Sequence, residues 1–91
     1  MTKTSNGKIR RANLVANKVE FTANNIFSRK GSENWYTVFS YGSHWPLFHW
    51  DGKQWYANIT RYGVTTSKHF GQAHPGVDCV PLSVAEMKAK I

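Results

Sequence analysis

The clearest alternation of apolar and polar positions lies mid-chain. Trp35-Tyr36-Thr37-Val38-Phe39-Ser40-Tyr41 is rich in aromatic and β-branched residues and reads as a strand. Ile26 and Phe27 lead toward it through Arg29-Lys30-Gly31-Ser32-Glu33-Asn34, a polar turn containing glycine. Gly42-Ser43 breaks the strand and Pro46-Leu47-Phe48-His49-Trp50 resumes it. Asp51-Gly52 follows as a hairpin signal, because a type I′ turn needs positive φ at both central residues. That turn sets a register in which Trp50 faces Lys53, His49 faces Gln54, Phe48 faces Trp55 and Leu47 faces Tyr56. Phe48, Trp50, Lys53 and Trp55 then share one face, with aromatic packing and a cation–π contact. Leu47, His49, Gln54 and Tyr56 share the other. One face is core and the second is mixed.

The flanks are less regular. Residues 1–8 are polar and small, and residues 1–11 read as a flexible basic arm. Ile9, Leu14, Val15, Val19 and Phe21 suit either a short helix or a strand, with Val19 and Phe21 favouring a strand over Lys18–Thr22. Antiparallel sheet is expected over residues 18–64. A short helix capped by Thr66 or Ser67 runs to about Ala73. At the far end Ser83 and Glu86 form a capping box that starts a helix over 83–91, with Val84, Met87 and Ile91 on one stripe. So short a helix has to dock on the sheet. The fold class is α+β: one small domain, a three- to four-stranded antiparallel meander, a short helix after the sheet and a C-terminal helix. The turn at Trp45-Pro46 is a candidate for a cis bond.

Composition narrows the classes. The chain has 91 residues, 41% hydrophobic and 19% charged, too apolar for a disordered tail. No run approaches the roughly 18 apolar residues of a membrane helix. No signal-peptide core is present in the first thirty residues, and a lone cysteine suits a reducing compartment. Twelve Lys and Arg oppose five Asp and Glu, a net +7. Residues 1–30 hold Lys3, Lys8, Arg10, Arg11, Lys18, Arg29 and Lys30 against Glu20 alone, so nearly all the excess is there. It suits phosphates or an acidic protein surface, or simply solubility.

The candidate chemistry is sparse. His44 and His49 are five apart, as are His69 and His74, with Cys79 five further on. That spacing puts ligands on opposite strand faces, so no metal site is expected. Asp51 and Glu86 are committed to a turn and a cap, which leaves no carboxylate pair for acid–base work. Cys79 sits in an apolar run and reads as a small buried hydrophobe. Phosphate-loop motifs are absent, and no cofactor is implied. Thr65, Thr66, Ser67, Lys68 and His69 form a candidate anion site at a helix start, or merely a cap. Nine aromatics crowd residues 35–56, more than one sheet face can absorb. Trp45, Trp50 and Tyr56 are therefore candidates to stack on bases or to anchor a protein contact.

Tyr41-Gly42-Ser43-His44-Trp45-Pro46-Leu47-Phe48, then Trp50-Asp51-Gly52-Lys53-Gln54-Trp55-Tyr56-Ala57-Asn58, Tyr62, Thr65-Thr66-Ser67-Lys68-His69, Gln72 and Pro75, carry a resemblance. Across residues 35–75 the chain resembles a small domain of unknown function common in bacteriophage genomes. The resemblance implies a phage accessory protein in the bacterial host cytoplasm, and no catalytic residue. The expected function is a non-enzymatic binding module that inhibits a host protein or nucleoprotein, such as a CRISPR or other defence complex. Direct nucleic-acid binding and a minor virion protein are the alternatives. No membrane partner is expected.

Overall fold

The computed structural model of the protein describes residues 2–42, 45–60 and 64–91, with side chains from Lys68 onward in the last stretch. It contains seven strands: β1 (Thr2–Lys3), β2 (Phe21–Ala23), β3 (Ile26–Lys30), β4 (Tyr36–Ser40), β5 (Pro46–Trp50), β6 (Trp55–Asn58) and β7 (Val80–Leu82). They lie side by side in sequence order in one sheet. Three helices accompany them: α1 (Lys8–Arg11), α2 (Val64–Ala73) and α3 (Val84–Lys90). The expected meander of three to four antiparallel strands is therefore too small. β2 to β6 do form an antiparallel meander, but β1 joins β2 and β7 joins β6 in parallel.

The parallel edges follow from the connections. A parallel neighbour needs a crossover, and helical segments supply both. β1, β2, β4, β6 and β7 run one way and β3 and β5 the other. Both crossovers step in the same direction across the sheet, so crossovers of the usual single hand place both helical segments on one face. Accordingly α1 touches α2, and α2 packs on β4. The third helix, α3, follows β7 and packs back on β5 and β6. Tyr56, under its Lys90 end, alternates along β6 with Trp55 and Ala57, which belong to the main core.

The α1–α2 face is the larger core. Ile9, Val15, Phe21, Ile26, Tyr36, Val38, Phe48, Trp55, Ala57 and Ala73 are buried in one cluster. Phe70 on α2 stacks on Phe48 at 4.7 Å between ring centres. The opposite face holds Phe27 against Phe39 at 5.3 Å, and His49 beneath Trp35 and Tyr56. Every residue of β4 is buried, so this strand is covered on both sides. Thr37 and Ser40 are buried there beside Tyr36, Val38 and Phe39.

The segment before β2 is neither of the two simple alternatives for residues 9–22. Leu14 N–H donates to Ile9 O and Asn13 N–H to Arg10 O; Val19 N–H then donates to Leu14 O and Lys18 N–H to Val15 O. Each set is the bond pair that ends a helix around a left-handed residue. Asn13 and Lys18 are those residues, both with φ of 55°. The apolar spacing Ile9, Leu14, Val19 fits this ending and matches neither a helical nor a strand period.

Three local expectations are corrected. Strand Lys18–Thr22 shortens to Phe21–Ala23, because Lys18 closes a helical turn. The hairpin pairs Trp50 with Trp55, His49 with Tyr56 and Phe48 with Ala57. Asp51 Oδ1 accepts from Lys53 N–H (2.9 Å) and Gln54 N–H (2.8 Å), which makes a four-residue loop. A shift of two residues keeps Phe48, Trp50 and Trp55 on one face and His49 and Tyr56 on the other, whereas a shift of one would reverse them. Trp45–Pro46 is not cis, as no described peptide bond is. Leu47 is the unpaired extra residue of a bulge between β4 and β5 instead. The capping box at Ser83 and Glu86 is present, with hydrogen bonds of 3.1 and 3.2 Å.

The N-terminal residues are not an arm. Thr2 and Lys3 pair with β2, Thr4 N–H donates to Thr22 O, and Ile9 is wholly buried. Ile9→Ala should therefore cost about 2–5 kcal/mol in chemical denaturation, the usual price of a large core truncation. A loss below about 0.5 kcal/mol would mean that this segment is not packed.

Candidate functional site

An open cleft of about 510 Å³ lies at the end of the sheet where β3, β4, β5 and β6 make their last pairs. Asn17, Lys18, Lys30, Gly31 and Asn34 line it, with Tyr36 and Trp50 as its aromatic floor, while the Trp35 ring packs on His49 at the opposite face. Lys18 Nζ stands 4.3 Å from the centre of the Trp50 ring and 5.7 Å from that of Trp55. Burial pushes the Tyr36 hydroxyl well above its ordinary pKa, and it donates to Val19 O at 2.7 Å. That bond ties the floor to the Lys18 wall.

The loops that frame the cleft are strained. Lys18, Glu33 and Asn34 have φ of 55°, 57° and 66°. Gly52 has φ of 98°, and a Cβ there would come within 3.3 Å of Glu33 O. Only glycine lets the β3–β4 and β5–β6 loops approach so closely. Left-handed residues held by surrounding structure tend to collect at binding sites.

The structure separates the residues that the sequence suggested for binding. Of the basic set, Lys18 and Lys30 line the cleft. Arg29 alternates to the opposite face and lies over Phe27 at 5.4 Å. Lys3 is on β1, and Lys8, Arg10 and Arg11 are on α1, all exposed. Of the aromatics, Trp50 is in the cleft, Trp45 packs on the core beside the other end of β5, and Tyr56 lies on the far face under Lys90 at 4.3 Å. The three do not form one surface.

The proposed anion cluster divides similarly. His44 and the side chains of Thr65, Thr66 and Ser67 lie outside the described residues. Lys68 is exposed while His69 is buried, since neighbours on a helix point about 100° apart. His69 Nδ1 is 2.7 Å from Ser40 Oγ, and its Nε2 is 3.5 Å from Asn6 Nδ2. Asn6 is oriented by two bonds to Asn24, so its amide donates toward Nε2. The His69–Ser40 pair holds α2 to β4.

His49 is likewise enclosed. His49 Nδ1 is 2.8 Å from Thr37 Oγ1, and its Nε2 is buried without a partner. Desolvation pushes Asp51 up, but hydrogen bonds from Lys53, Gln54 and Tyr56 outweigh it and hold the carboxyl below its usual range. Burial and nearby Asp78 push the Cys79 thiol up to about 11, which disfavours the thiolate. Among the described residues no three His, Cys, Asp or Glu are grouped to hold a metal ion. No helix among them is long and apolar enough to cross a membrane.

Asn17, Gly31, Asn34, Trp35 and Tyr36 were not singled out as site residues from the sequence. The available signal was the set of Asn and Gly positions in adjoining turns, which marks left-handed backbone but not which turns meet.

Desolvation lowers the pKa of His49, His69 and His74 below the ordinary 6.5. The unfolded chain then binds more protons than the folded one as pH falls through 6.5. Stability should be full above about pH 7 and decline from 6.5 downward, read as a falling Tm. A Tm that is flat or rising between pH 7 and 5.5 would contradict this burial.

Compared with protein-family models, curated proteins and solved structures, the chain matches none.

Proposed function

We propose that the protein is a non-enzymatic binding module whose cleft takes a short stretch of single-stranded nucleic acid. One observation carries this reading: Lys18 and Lys30 line one open cleft of about 510 Å³ together with Trp50, whose ring lies under Lys18. That volume is within the roughly 300–1,000 Å³ of small-ligand sites. An indole offers a stacking platform for any base, and ammonium groups beside it suit the phosphates. A neutral protein loop would use the aromatic floor but leave the two lysines unmatched.

The strand can be free or held within a nucleoprotein. In the second case the module would obstruct the machinery working on that strand, which is how inhibition of a host defence complex would operate.

The test is fluorescence anisotropy with a labelled twelve-nucleotide DNA strand. Affinity should fall steeply between about 50 and 200 mM salt. Trp50→Ala, confirmed folded by its melt, should lose about 1–3 kcal/mol, a factor of about 5 to 150 in affinity. Lys30→Ala should reduce the salt slope by about one. Absence of binding at micromolar protein and low salt would refute the reading. A discrete protein captured from nuclease-treated host lysate, without DNA binding, would replace it with a protein target.

A further inference from the structure

Lys18 occupies the surface that a stacking base would need. Its ammonium lies over the indole of Trp50, the cleft's aromatic floor, and no carboxylate among the described residues pairs with it. The backbone at this position is also unusual. Lys18 ends a helical turn in the left-handed conformation, where glycine or asparagine is the ordinary choice. The matching position one turn earlier is Asn13. A lysine is thus kept where its Cβ is disfavoured, and its side chain is placed on Trp50. Glycine would make the same turn without strain.

The position also gives Lys18 somewhere to go. Lys30 lines the same open cleft, so a phosphate seated there has a second ammonium group within the same site. The Trp50 ring is half-buried and its Lys18 side opens to the cleft, where a phosphate competes well for a cation held only by a ring face. We infer that Lys18 is a movable counter-charge, which caps Trp50 at rest and yields that ring to a nucleobase while turning to the attached phosphate. The ligand unit is then a nucleotide carrying its phosphate, and a bare nucleoside is discriminated against because nothing repays the displaced ammonium. This step rests on the nucleic-acid reading of the cleft.

The experiment titrates ¹⁵N-labelled protein with deoxyadenosine and with deoxyadenosine monophosphate, following the Trp50 indole N–H, assigned with Trp50→Phe. Wild type should bind the monophosphate more tightly than the nucleoside. Lys18→Met removes the charge and keeps the stem, so it should bind deoxyadenosine about two- to fivefold more tightly than wild type. It should also lose most of the preference for the phosphate. Lys18→Gly relieves the backbone and serves as the variant sure to fold; it should show the same gain. Wild-type binding of the twelve-nucleotide strand with no nucleoside gain in either variant would overturn this inference alone. Failure of wild type to bind that strand would overturn the cleft reading as well.

Discussion

Burial of the central strands on both faces is the constraint on which the rest of the molecule depends. β4 is covered throughout and β5 nearly so, with α1 and α2 on one side and α3, Trp35 and Tyr56 on the other. Strands in this condition have no open face to offer a partner. Contacts must be made at its edges or at the ends of its strands. The edges are short: β1 has two residues, and β7 has three, one of them Pro81, which cannot donate a ladder hydrogen bond. The strand end beneath Lys18 and Trp50 is where side chains of useful chemistry converge.

Burial also explains why so many polar groups are pinned within the fold. Ser28 accepts from Phe21 N–H and donates to Val19 O, and Asn58 donates to Pro46 O. Thr37 meets His49, and Ser40 meets His69. A buried polar group without such a partner costs about 1–3 kcal/mol. These pairs therefore select one register and one helix placement. The price falls on the histidines, which must stay neutral to remain inside, so the packing that stabilises the sheet also makes it sensitive to acid.

Much of the centre was legible in the sequence, and the periphery was not. The aromatic run from Trp35 to Tyr41 announces β4, and the serine–glutamate box announces α3. Both signals are local. The hairpin faces were also legible, although its register was not, because Asp51 uses its side chain to hold two backbone donors. The edge strands were hidden for a different reason. Thr2 and Lys3 are too few to show alternation, and they become a strand only because helical turns return the chain alongside them. The five-residue spacing of Ile9, Leu14 and Val19 belongs to helix endings and so looked like noise. For the cleft, Lys18, Lys30 and Trp50 were each visible as candidates, but seven basic residues could not be ranked without knowing which loops meet. Tyr56 and Arg29 alternate onto the other face, a consequence of register.

The central claim is that recognition takes place at the Lys18–Trp50 end of the sheet and not through a basic N-terminal arm or an edge strand. It is tested most directly by mapping backbone amide shifts when the DNA strand is added to ¹⁵N-labelled protein. The account predicts perturbations clustered at residues 17–18, 30–36 and 50–54, with β1, α1, β7 and α3 little changed. Shifts confined to Lys3–Arg11 or to Val80–Lys90 would contradict it.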